Sequence, residues 1–356
     1  MGETSRPVDP PARRLHIICE RDTGLFSHVQ QVIANIPWAL LEHRIPIAYF
    51  REKTCYWTPH GYAGQDTVWE YYFEPVIPAC PAASIPQAVR TRIADRHPSP
   101  FDAGYAVDDD IFVSSNFGDH PDLCGKTLVI PYLAEDPDDA VRRAARPIVE
   151  RYVRPRRYLL EKANTFTKEH LVGRPVIGVH VRGTDAISRQ ELRRHRRGSL
   201  VLPRYVTELR RLLAMLPTAK ILVATDDEAS LTYLTGAFGS RVVTYGTIRH
   251  RGGAPAGQGP TGWIMPAYIA GDRDRAARNG EEAVIEYLLL SRCCHLVHNG
   301  SSLARTVLLN APELPHTNTH HAGPQHQATP HHLVITDLTL PHPSPWDHLE
   351  GHGVTL

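Results

Sequence analysis

Three times in its second half the chain runs a short apolar stretch into a polar turn and then a helical pattern. Val176–Val181 leads into Arg182-Gly183-Thr184-Asp185, Lys220–Ala224 into Thr225-Asp226-Asp227, and His295–His298 into Asn299-Gly300-Ser301-Ser302. Continuous apolar strands alternating with helices are what a parallel sheet covered on both faces requires. Helical spacing predicts helices over 203–216, 228–238, 281–291 and 302–310, with a further strand at 241–244. The region therefore reads as a Rossmann-type unit, whose ligands bind beyond the carboxyl ends of its strands.

The first half repeats the theme less regularly. Leu15–Cys19 is an apolar run, Leu25–Leu41 carries apolar residues at helical intervals, and Ile45–Phe50 is apolar again; shorter strands are expected at Ile111–Ser114 and Leu128–Leu133. An amphipathic stretch from Asp136 to Asn164 bridges the halves, and Pro147 and Pro155 should break it into two helices. The expected organisation is an α/β fold: an N-terminal α/β domain over 1–172, a C-terminal Rossmann-like domain over 173–315, and a His/Pro-rich tail over 316–356. Two such units facing a central cleft suit a reaction that joins two substrates.

Composition removes several classes of function. Of 356 residues, 39 are Lys or Arg and 38 Asp or Glu, a formal net charge of +1, so a surface devoted to nucleic acid or anionic lipid is not expected. The six cysteines contain no C-x-x-C pair, which indicates neither a disulfide framework nor a zinc ribbon. Met1–Arg14 lacks an apolar segment and no long apolar run follows, so a soluble, cytoplasmic protein without a membrane span is expected.

In Gly178-Val179-His180-Val181-Arg182-Gly183-Thr184-Asp185, alternation places His180 and Arg182 on one side of the strand. An arginine at the carboxyl end of a central strand can clamp a diphosphate, or it can staple the turn through Asp185. Asp226 and Asp227 begin a helix, where acids serve as caps as readily as they shape a pocket; Thr225 or Asp226 is the expected N-cap. Gly300-Ser301-Ser302 offers backbone N–H groups and two hydroxyls, a phosphate site or plain capping.

Taken in order, these motifs resemble the α-1,6-fucosyltransferases of rhizobial nodulation and animal core fucosylation, over Arg174 to Pro315. The family hallmark H-x-R-R-T-D corresponds to His180-Val181-Arg182-Gly183-Thr184-Asp185, its A-T-D-D to Ala224–Asp227, its helix acid to Glu286 before Leu290-Ser291, and its S-S to Ser301-Ser302. In the first half, Tyr72-Phe73-Glu74-Pro75-Val76 resembles the end of the family's aromatic run. The resemblance implies a GT-B, inverting glycosyltransferase that takes a GDP-sugar, most simply GDP-fucose, with neither a metal nor a further cofactor. It implies that His180 and Glu286 contact guanine, that Arg182 holds the β-phosphate, that Ser301 and Ser302 bind the diphosphate, and that Asp185, Asp226 and Asp227 shape the pocket. The partners implied are the GDP-sugar and a glycan or small-molecule acceptor.

The departures concern the acceptor. Gly183 replaces the second arginine, Ala186 a lysine, and Gln190 the position of the proposed base, with Glu191 beside it. Direct displacement needs a base at the acceptor hydroxyl; Glu191 and, after the first strand, Glu20, Asp22 or His28 are the candidates, Glu191 and Asp22 foremost. A changed acceptor is expected.

Other signals are weaker. Asp108-Asp109-Asp110 satisfies D-x-D but reads as a solvated turn. The basic run Arg189–Arg197 reads either as a solvated loop or, from its position just after the Arg182 motif, as a surface for an anionic acceptor. The connection 246–281, carrying Trp263, Met265 and Tyr268, is long enough to be a lid. Nine of the 21 histidines lie from His316 onward in what reads as a loosely ordered tail.

Overall fold

The computed structural model describes residues 14–100, 102–116, 136–183, 202–251, 256–258, 264–266, 269 and 271–320. The first half contains strands β1 (Leu15–Cys19), β2 (Ile45–Tyr49), β3 (Tyr105–Ala106) and β4 (Ile111–Ser114) and helices α1 (Leu25–Leu41), α2 (Val68–Tyr72) and α3 (Gln87–Asp95). Its sheet has the order β2-β1-β4-β3; β1 pairs in parallel with both β2 and β4, and β3 is antiparallel. Helices α4 (Asp139–Tyr152) and α5 (Arg157–His170) form the bridge.

The second half holds β5 (Val176–Val181), α6 (Leu202–Met215), β6 (Lys220–Thr225), α7 (Glu228–Phe238), β7 (Val242–Val243), the antiparallel pair β8 (Ala256–Gln258) and β9 (Ile264–Pro266), α8 (Arg273–Leu290), β10 (His295–His298), α9 (Ser302–Asn310) and β11 (His316–Asn318). Its five-stranded sheet, β11-β10-β5-β6-β7, is parallel throughout.

Alternation along β5 sorts the two faces. Ile177, Val179 and Val181 pack with Tyr205 and Leu209 of α6 and Leu231 and Leu234 of α7. The other face presents Val176, Gly178 and His180. Gly178 is a glycine because α8 ends against it: a Cβ there would lie 3.0 Å from both Cys293 Sγ and Leu290 Cδ2. On this face the core is continuous with the first half, so that Val29, Ile33 and Tyr72 belong to the same apolar cluster as Leu289 and Val307.

Four details differ from the sequence expectation. Pro147 lies inside α4 and does not end it; the missing N–H removes one helical bond, while buried Val141, Ala145, Ile148 and Tyr152 hold the helix to the core. Helix α8 starts at Arg273, about two turns before residue 281. Its first turns are rich in Arg, which hides the apolar period, and Asp272 caps them by accepting from the Arg275 N–H at 3.0 Å. The N-cap of α7 is Asp227, whose Oδ2 accepts from the Ser230 N–H at 2.8 Å and from its hydroxyl at 2.6 Å. Lastly, His316–Asn318 is an edge strand, so the sheet extends into the segment read as a tail.

The expected strand 128–133 lies outside the described residues. Among those described, no helix is long and apolar enough to cross a membrane, and the five cysteines described are free thiols.

Candidate active site

The carboxyl ends of β5, β6 and β10 and the amino ends of α1 and α9 open on one cleft with about 770 Å³ of empty space, its mouth included. His180, Arg182, Asp226, Glu286, Ser301 and Ser302 all line it. Six positions spread over more than a hundred residues of sequence thus meet at the end of a parallel sheet, where open α/β folds place their ligands.

Strand register explains the grouping. His180 pairs with His298 on one side and with Ala224 on the other. Beyond the strand end, the Asn299 side chain continues the pairing: its Oδ1 accepts from the Arg182 N–H at 3.2 Å and its Nδ2 donates to the Arg182 carbonyl at 3.0 Å. The Gly183 N–H donates to Asp226 Oδ1 at 2.8 Å. The backbone carrying Arg182 is therefore fixed from both neighbouring strands.

The two serines divide their roles. Ser301 is the N-cap of α9 and accepts from the Ala304 N–H at 3.1 Å; its hydroxyl also shares a hydrogen bond with His180 Nδ1 at 3.1 Å. Burial, with His298 and Arg182 nearby, depresses the His180 pKa to about 3. The ring is therefore neutral at physiological pH. Ser302, the first residue of α9, lines the cleft, and the helix start beside it favours an anion.

Glu286 sits on α8 and lines the cleft. Burial drives its pKa up from 4.5 to about 8, against the pull of Arg249. Its Oε1 is buried and accepts no hydrogen bond among the described residues. A buried acceptor without a donor is costly, and the residue that carries it lines the cleft.

One helical turn before it, Glu282, which sequence reasoning missed, accepts from the Ile248 N–H at 2.7 Å and pairs with Arg278 at 3.4 Å, tying the segment after β7 to the cleft wall. The i, i+4 spacing of the two acids was the available signal. Asn299 was also overlooked as an individual residue, because nothing local shows that its amide reaches across to β5.

The first half contributes Gly24, Leu25, Phe26, Ser27 and Tyr56. The candidate bases stand elsewhere. Glu20 is buried, accepts from the Lys53 N–H at 3.1 Å and lies 3.5 Å from His97; His28 is buried against the Arg21 backbone, its pKa lowered to about 4 by burial. Neither they nor the buried Asp22 line the cleft. Asp227 is committed to capping α7 and does not line it either. Asp185, Glu191 and the run 189–197 lie outside the described residues, as do Trp263 and Tyr268.

Of the expected lid, Met265 falls in β9, Ile269 lines the cleft, and the last part is α8. Asp108 closes its own turn by accepting from the N–H groups of Asp110 (2.9 Å) and Ile111 (2.8 Å), away from the cleft.

No protein-family model matches the chain, and neither does any curated protein. Solved structures do match. The fucosyltransferase NodZ from Bradyrhizobium has 18% identity and a TM-score of 0.51, the alignment covering 88% of this chain and 97% of that one. The chain has the fold of NodZ. A NodZ crystal soaked with GDP-fucose gives 18% identity and 0.49 over 84% and 93% of the two chains, and POFUT1 in complex with GDP gives 12% and 0.46 over 86% and 98%. The NodZ fold is GT-B, the α/β fold that the motif resemblance implied.

Proposed function

We propose that this protein is a glycosyltransferase that moves a sugar, fucose in the simplest case, from a GDP-sugar to a hydroxyl of a glycan or small-molecule acceptor. The observation that carries the proposal is the cleft itself. A buried carboxyl group, Glu286, with one oxygen that accepts no hydrogen bond among the described residues, shares it with an arginine, Arg182, and the start of α9 at Ser302. The first suits the N–H edge of guanine; the other two suit a diphosphate. The fold shared with a fucosyltransferase and the ordered motifs from His180 to Ser302 support the same reading.

In the mechanism, Arg182 and the first turn of α9 stabilise negative charge on the departing GDP, preorganised by the Asn299 and Asp226 bonds to the backbone of Arg182 and Gly183. These groups supply the leaving-group stabilisation that a divalent ion supplies in other transferases, which is the support for a metal-independent reaction. Turnover is accordingly expected to survive EDTA unchanged. Inversion by direct displacement needs an acceptor base; Glu191 is retained for that role, and Asp22 is set aside because it does not line the cleft.

The test is a donor screen read by GDP release, with GDP binding measured by calorimetry. GDP-fucose should be turned over, and Arg182→Ala should lower kcat by roughly 100-fold or more, as loss of one preorganised donor does. Undiminished turnover in that variant would sink the mechanism. A second reading, a nucleotide-sugar binding protein without transfer, is favoured by one observation: the first half lines the cleft with no carboxylate or histidine among the described residues. GDP binding with no turnover across acceptors would establish it.

A further inference from the structure

Asp136, His298 and His316 come from three separate segments, and their ligand-type atoms lie within 4.8 Å of one another, an arrangement able to hold a metal ion. The hydrogen bonding around them points to a different use. His298 Nδ1 accepts from the Gly300 N–H at 3.0 Å, so Nδ1 carries no proton and the neutral ring has its proton on Nε2. That Nε2 lies 3.0 Å from His316 Nδ1, and the proton between them belongs to His298. For a metal to take His298 Nε2 the proton would have to move to Nδ1, where it would face the Gly300 N–H. Asp136 Oδ2 stands farther off, 3.8 Å from His298 Nε2 and 3.9 Å from His316 Nδ1, and accepts from Asn318 Nδ2 at 2.9 Å.

The proton arrangement bears on the cleft through Gly300. Its φ of +71° is left-handed, and a Cβ there would lie 3.1 Å from Asn318 Nδ2. This residue turns the chain from β10 into α9, which presents Ser301 to His180 and Ser302 to the cleft. His298 is fully buried, so water cannot replace Nδ1 as the acceptor that holds the turn.

We infer that His298 is a positioning residue for the donor diphosphate: Nδ1 pins the Gly300 N–H, His316 fixes the tautomer that makes this possible, and the turn so held aims the start of α9 into the cleft. The inference rests on the GDP-sugar reading above. It adds a role for the first residues of the His-rich segment, since His316 acts through His298 and touches no ligand itself.

The experiment compares wild type, His298→Ala, His298→Asn and His316→Ala for GDP affinity by calorimetry and for Tm. Asparagine can place Oδ1 where Nδ1 stands but reaches no partner at the Nε2 position. Both His298 variants lose the His316 bond and some stability, yet only His298→Ala should weaken GDP, by roughly tenfold, while His298→Asn stays within about threefold of wild type. His316→Ala should fall between them, because it loosens the tautomer without removing the acceptor. Equal weakening in Ala and Asn, or none in Ala, would overturn the positioning role, and if Ala fails to fold the Asn and His316 variants still decide it. A zinc-dependent rise in Tm that requires Asp136, His298 and His316 together would replace it with a metal site. Failure of the wild type to bind GDP would instead remove the donor reading.

Discussion

Gly183 stands where the fucosyltransferase hallmark has its second arginine, and the adjacent carboxylate gives the physical reason. A Cβ at 183 would come 2.6 Å from Asp227 Cβ, so any side chain there displaces the residue that caps α7. Gly183→Ala should therefore lose the cap and lower stability by about 1 kcal/mol, the usual worth of an N-cap, measurable by urea denaturation. At Glu286 burial raises the carboxyl pKa from 4.5 to about 8. The folded chain then holds a proton that the unfolded chain releases between those values, so stability is expected to fall as pH rises from about 5 to 8. Glu286→Gln should flatten that fall. Guanine N–H groups need the carboxylate form, so GDP binding near pH 7 should release a proton, seen as a buffer-dependent heat that the Gln variant lacks.

Elements in this fold are ended by side chains that also bear on the cleft. Asp226 and Asp227 are neighbours with separate duties: one accepts from the Gly183 N–H beside Arg182, the other caps α7. Asp227→Ala should lower stability by about 1 kcal/mol and leave GDP affinity unchanged, whereas Asp226→Ala should weaken GDP because the turn after β5 loses its anchor. An inverse result, with Asp227 controlling affinity, would show that the β6–α7 turn itself contacts the donor. Strands β5, β6 and β10 were legible as elements because continuous apolar runs identify buried strands. Strand β11 was not, because His316-Thr317-Asn318 has no apolar pattern and is held instead by backbone pairing to β10 and by Thr317 Oγ1 donating to Glu208 at 2.8 Å.

Across the whole molecule the halves are joined by packing as well as by the α4–α5 bridge. Gln30 Nε2 of α1 donates to the Ser302 carbonyl at 3.0 Å, and the Tyr72 hydroxyl donates to the Ala277 carbonyl at 2.6 Å. Arg273, at the start of α8, donates to the carbonyls of Glu52, Thr54 and Trp57. Gly280 permits this closeness: a Cβ there would lie 2.4 Å from the Tyr72 oxygen. In an exposed helix Gly→Ala gains up to about 1 kcal/mol. Here the overlap with a fully buried tyrosine should reverse the sign, and Gly280→Ala is expected to lower stability by about 1–3 kcal/mol, read by thermal or urea unfolding. An increase in stability would mean that α8 and α2 can separate without loss.

The sequence by itself determined the alternation of strands and helices and the parallel second sheet, and its motif order grouped His180, Arg182, Asp185, Asp226, Asp227, Glu286, Ser301 and Ser302 as one candidate site, of which Asp227 does not line the cleft and Asp185 lies outside the described residues. Those features reside in local apolar periodicity and in motif order. Only the tertiary structure decided which hydroxyl, which carboxylate and which histidine is free for a ligand. Ser301 and Asp227 proved to be caps, Glu286 to be buried with one oxygen that accepts no hydrogen bond among the described residues, and His298 to hold the turn beneath Ser302. Each of those assignments depends on where a second side chain or backbone amide arrives from another strand, and spacing along one chain does not encode that distance.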